Sequence, residues 1–190
     1  MFTKRNIWIA GFGICFVILL SFPFHWGSAQ TQVIPVDGVQ EVVLNGTNMA
    51  MEVRTFAMNE EESQQIKLET SDEFGCKLLA NYTRHEDTLT LTFKKRDWSL
   101  WGLCTPTANL HLPEHLGLQI DLEALAADIR GTFQALNISS HKTALEFTGQ
   151  ADRFSLEGEA AVINLEFLGP ILNDDLILNV EKLISRVRVP

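Results

Sequence analysis

The feature that most constrains this chain is a repeat in its last third. From Leu118 onward the apolar residues fall into columns 18 apart: Leu118, Leu136 and Phe154; Ile120, Ile138 and Leu156; Ala126, Ala144 and Val162; Ile129, Phe147 and Leu165. A fourth copy follows after a further 22 residues, with Leu176, Leu178, Ile184 and Val187 in the matching places. The four extra residues fall in the turn that runs from Leu168 to Asp174. A fixed period near 20 built from short alternating strands marks coils stacked into a solenoid. One coil cannot bury its apolar stripe alone, whereas stacked coils share a continuous core. The repeat therefore predicts a single-stranded β-solenoid, a β-helix-like stack of 18-residue coils.

Ahead of the repeat the pattern is nearly all period two, as in half-buried strands. Val42 and Leu44 alternate with polar neighbours, and Asn45-Gly46 supplies a turn signal. Met49, Met51 and Val53 point one way, Glu52 and Arg54 the other. Asn59 to Gln65 is a polar break, after which Ile66 and Leu68 resume the alternation. Asp72 to Gly75 reads as a turn into Lys77–Tyr82, and Arg84 to Asp87 as a hairpin connection into Leu89, Leu91 and Phe93. The alternation stops from Lys94 to Thr107, returns at Leu110 and Leu112, and ends at Pro113. Beyond the leader no window holds helical spacing for more than about two turns, so the expected class is all-β: antiparallel strands, then the stack. Glu181 to Ser185 suits a helical turn on its own, but the repeat register makes it strand.

The first 29 residues differ in kind. Lys4-Arg5 precedes an uncharged run from Ile7 to Phe24, and Gly27-Ser28-Ala29 offers small residues for signal peptidase. The run is an apolar helix, either a signal peptide or a membrane anchor through residues 7–24, since its length is borderline for a span. Either way the positive flank sends residues 30–190 out of the cytoplasm as one domain. Cys15 lies in the apolar run without a lipobox, leaving Cys76 and Cys104 as an even pair in an oxidising compartment. A disulfide between them is expected and would contribute roughly 3 kcal/mol. Two separate buried thiols are the alternative.

Charge and motifs narrow the function. The net charge is −9, and the leader holds only cations, so the remainder is more acidic still. That opposes nucleic-acid binding, which needs a basic face to release phosphate counterions. His85, His111, His115 and His141 are scattered, and Pro113 denies His111 and His115 a shared helix. No zinc spacing, nucleophile elbow, P-loop or dinucleotide fingerprint occurs, so neither a metal nor a cofactor is expected. Asn45, Asn81 and Asn137 begin glycosylation triplets, which are short enough to arise by coincidence.

Two stretches remain as a candidate binding surface. Asp128, Glu146 and Glu166 sit at nearly equivalent outward positions of successive coils, with Arg130 and Lys142 nearby. Stacked strands set such residues about 5 Å apart, and a carboxylate ladder there would suit calcium or the acid–base cleavage of polysaccharide. A solvated face that discourages edge pairing is the plainer reading. Lys94, Lys95 and Arg96 followed by Trp98 and Trp101 join cations to amphipathic aromatics, a combination suited to lipid headgroups or glycans. A cap over an open end of the core, tied down by Cys104, is the plainer reading of this loop.

Taken in order, Val39–Leu44, Asp87–Phe93, Ala108–Pro113, Leu116–Ile120 and Ala127–Gly131 form a layout that resembles the head domain of auto-transporter adhesins (the GIN or DUF2807 domain) and the related DUF4097 adhesin-like family. The resemblance covers essentially all of the exported part, through loose strand patterns. It departs at the corners, where Glu123–Ala126, Ser139–Lys142 and Gly158–Ala161 replace the family's Ser-Gly turns. It implies a β-solenoid outside the cytoplasmic membrane and no enzymatic activity. The expected function is an exported module that presents a binding surface to an envelope protein or glycan. A membrane-anchored scaffold or regulatory subunit is the alternative, with a polysaccharide-active enzyme or a lipid carrier further behind.

Overall fold

The computed structural model describes residues 29–56, 64–71, 76–97, 106–114, 116–171 and 175–190. The leader therefore lies outside the described residues, as do Cys104, Trp98, Trp101 and His115. Nine strands follow one another: β1 (Ala29–Pro35), β2 (Glu41–Gly46), β3 (Met49–Phe56), β4 (Gln65–Ser71), β5 (Cys76–His85), β6 (Thr88–Asp97), β7 (Thr107–Pro113), β8 (Gly117–Phe167) and β9 (Leu176–Arg188). Among the described residues there is no α-helix, and none long and apolar enough to cross a membrane. The strands join in a single curled, open sheet ordered β1-β4-β7-β3-β8-β2-β6-β5, with β9 on β8.

The long β8 accounts for the curl. It stays extended for 51 residues yet bends repeatedly, so that residues 18 apart meet. Ser155 Oγ donates to Asn137 Oδ1 at 2.8 Å, and His141 Nδ1 lies 3.0 Å from Glu159 Oε1. Along β9 the offset becomes 22, pairing Phe154 with Leu176, Leu156 with Leu178, Val162 with Ile184 and Leu165 with Val187. The lengthened last turn stands as the repeat predicts.

Each turn of β8 has two flanks joined by a corner, and the corner changes which residues face inward. Leu118, Ile120 and Leu122 are buried on the first flank, Leu125, Ala127 and Ile129 on the second. Glu123 and Ala124 fill the corner, and two residues between inward positions shift the alternation by one. The Ala126–Ala144–Val162–Ile184 column, expected to lie in the core stripe, therefore faces outward: Val162 is 56% and Ile184 70% exposed. Its core place is taken by neighbours such as Leu145 and Ile163. Phe133, Phe147, Phe154 and Phe167 fill the interior, with ring centroids 5.3–6.4 Å apart along the cluster. Thr143 Oγ1 and Asn164 Oδ1 are buried without a hydrogen-bond partner among the described residues.

A second bend is built on glycine. Gly131 has φ +131°, and a Cβ placed on it would come within 1.9 Å of Thr55 Oγ1. That hydroxyl accepts from the Thr132 amide at 2.8 Å. One turn on, a Cβ on Gly149 would stand 1.9 Å from the Gly131 carbonyl oxygen. Thus successive turns touch backbone to backbone, and only glycine leaves the room.

The N-terminal strands are woven into the stack. β2 and β3 pair in parallel with the first turn of β8, Val42 on Leu118, Leu44 on Ile120, Met49 on Leu125 and Val53 on Ile129. β6 then lies parallel on β2, and β7 parallel on β3. Antiparallel pairing is confined to β5 on β6 and to the β1–β4–β7 set. The expected antiparallel strands before the repeat are thus partly parallel layers of it. Nor does the alternation end at Lys94: β6 continues to Asp97, with Lys94 opposite Leu79, Lys95 opposite Leu78 and Arg96 opposite Lys77. Those residues belong to a hairpin strand, not to a loop, because β5 is long enough to keep pairing with them.

Candidate functional site

The outward residues of the second flank form ordered columns. In register, Glu69 stands by Asn109, Asn109 by Glu52, and Glu52 by Asp128. Two residues along each strand, and so on the same face, the neighbouring column runs Lys67, His111, Arg54, Arg130. Each acid therefore has a base beside it within its own strand. Lys67 Nζ is 2.6 Å from Glu69 Oε1, Arg54 pairs with Glu52, and Arg130 Nε and Nη2 donate to the two Asp128 oxygens at 2.9 and 2.7 Å.

The electrostatics follow from that pairing. The hydrogen bond from Lys67, then its charge, hold the Glu69 carboxyl below its ordinary range, with small further help from His111 and Asn109. The hydrogen bond to Asp128, then its charge, keep the Arg130 guanidinium more firmly protonated, and Glu146 and Glu52 add to this.

Glu166 does not join Asp128 and Glu146. After Glu146 the acidic column continues through Asn164 to Arg186, whereas Glu166 stands in the Arg130–Thr148 column and faces Arg188, 3.8 Å away. The offset from Glu146 to Glu166 is two residues longer than one turn, enough to move it a column along. Lys94, Lys95 and Arg96 lie elsewhere, on β6 beside the first flank, with Lys94 and Arg96 exposed and Lys95 half-buried. The two expected patches are therefore separate surfaces. Trp98, Trp101 and the expected Cys76–Cys104 bridge lie outside the described residues, apart from the Cys76 backbone that opens β5 opposite Asp97. No group of His, Cys, Asp and Glu able to hold a metal ion occurs among the described residues.

Between the charged columns and the corner lies a groove of about 710 Å³. Ala126, Ala144, Val162 and Ile184 form its floor, and Lys142 and Lys182 stand at the corner side. It runs across every turn of β8 onto β9, and a shallower extension beside Glu146 and Asn164 continues it toward the charged columns. Around the corner is a different depression, of about 400 Å³, lined by Asp121, Ser139, His141, Glu157, Glu159 and Glu181. The apolar groove was hidden in the sequence because its floor repeats with the core's own period. The signal that reveals it is the two-residue corner, which sends Ala126 outward and Leu125 inward.

No protein-family profile matches the chain, and no curated protein is significantly similar to it. Solved structures are. A provisionally named cell adhesion protein from Clostridium sporogenes superposes over 85% of this chain and 97% of its own, with 14% identity and a TM-score of 0.52. Provisionally named adhesins from Parabacteroides distasonis and Bacteroides fragilis align over 85% and 84% of the chain at 9% and 10% identity, covering 79% and 96% of their own chains, with TM-scores of 0.35 and 0.27. The Clostridium structure shares the fold with this chain.

Proposed function

We propose that this chain is an exported, non-enzymatic β-solenoid module of the bacterial envelope, which holds an extended segment of a partner protein along its apolar groove. The carrying observation is the groove itself: an open apolar channel laid across all the stacked turns on a rigid sheet. The 18-residue contacts and the parallel layers support the solenoid description. The adhesion name carried by a structure of the same fold is in keeping with a binding role, and the leader's apolar run with export.

The lining argues for a protein segment over a sugar. No aromatic ring lines the groove, whereas sugar faces stack on aromatic side chains and need converging polar groups. Lys142 and Lys182 at the rim favour a partner carrying carboxylates. The paired acids and bases beside the groove favour recognition over acid–base chemistry.

A photoreactive benzophenone residue replacing Ala144, in the full chain within its envelope, tests this. A covalent adduct to a protein is expected, lost when Val162→Glu is added and absent when the probe replaces exposed Asp152 instead. No adduct, an equal adduct from position 152, or capture of glycan or lipid alone would overturn the reading.

A further inference from the structure

We infer that β9 is the surface through which a second copy of this chain closes the open end of the stack, the two copies meeting about a two-fold axis. The ends of the stack differ. At one end the chain turns back on itself, with β5 antiparallel on β6 and β1 antiparallel on β4, and β5 exposes Asn81, Thr83 and Arg84 together with Leu79 and Tyr82. At the other end β9 simply adds one more parallel layer, and among the described residues no strand pairs with its outer edge. Its inward side chains stand on buried ones but are covered by nothing described. Leu183 over Ala161 is 37% exposed and Val187 over Leu165 is 40% exposed. A stack of repeats ordinarily ends in a polar cap, and a strand edge is ordinarily blunted by an inward charge or a bulge. The inward row of β9 carries no charge.

What covers this end is indicated by the order of residues along β9. The corner falls between Glu181 and Lys182, so an antiparallel copy centred there lays the first-flank half of one β9 on the second-flank half of the other. The inward residues then match: Leu176 faces Val187 of the second copy, Leu178 faces Ser185, and Val180 faces Leu183. Two outward charge pairs match in the same register, while Arg186 falls opposite Ile177. Glu181 faces Lys182 of the second copy, and symmetry makes that contact twice. Asp175 likewise faces Arg188 of the second copy. A slip of one residue would set inward side chains against outward ones, and a slip of two would move the corners out of line and cost both charge matches. A two-fold interface must be self-complementary in this way.

Exposed Glu181 and Lys182 permit a test that spares the fold. The full chain, extracted in mild detergent, is measured by size-exclusion chromatography with light scattering, with a thermal melt of each variant as the folding control. The wild type is expected at the mass of two chains, Glu181→Lys and Lys182→Glu each at the mass of one, and E181K with K182E together at two again. A wild type with the mass of one chain would overturn the inference. So would a dimer indifferent to either single reversal, or a double variant no more associated than the singles.

Discussion

Gly131 and Gly149 sit where one turn of the chain passes over the next with no side chain between them. Their role is steric, so their replacement has a definite expected cost. Gly149→Ala drives a methyl group into the Gly131 carbonyl and should destabilise the fold by about 2–3 kcal/mol, as overpacking typically does. Gly117→Ala is the control, because a Cβ there meets nothing closer than 3.6 Å; it should melt close to the wild type. Urea or thermal denaturation of both variants checks the pair. Single residues also mark the limit of reading the chain unaided. The repeat assigns Leu118, Ile120 and Ile129 to the core correctly: the first two precede the corner, and Ile129 recurs as the bulky apolar Phe147 and Leu165. Val162 and Glu166 depend on how many residues each bend consumes, and an alternating pattern does not carry that number.

At the scale of the strands, the interleaving of β2 and β3 between the β6–β7 layer and the first turn of β8 is the main departure from a simple stack. It was legible in principle: Val42, Leu44, Met49, Met51 and Val53 have the same spacing as Leu118, Ile120, Leu125, Ala127 and Ile129. The 76-residue offset between the two sets conceals the match, since stacked repeats are expected to follow one another in sequence as well as in space. The C-terminal register was plain because its copies are contiguous. The middle turn tests that register. Ile138 is buried, whereas the adjacent Asn137 accepts its hydrogen bond from Ser155 at the surface side of the sheet. Ile138→Asp places a charge in the core and should cost several kcal/mol. Asn137→Asp keeps an acceptor in place and should be nearly neutral. Comparable melts for the two variants would place the middle turn in another register.

For the whole molecule, the sheet gives two unlike faces to one rigid scaffold. The first flank carries acids and His141 at its corner edge, and the second carries paired charges beside an apolar groove. The proposed binding role rests on the outward column being apolar while its immediate neighbours fill the core. The most direct measurement is a comparison of Val162→Lys with Ile163→Lys in the full chain, following both the melting curve and the adduct formed from the probe at position 144. Ile163 is 3% exposed, so its replacement by a charged residue should lose several kcal/mol. Val162→Lys should melt near the wild type and abolish the adduct. The reverse order of stabilities, or an adduct untouched by Val162→Lys, would contradict the account.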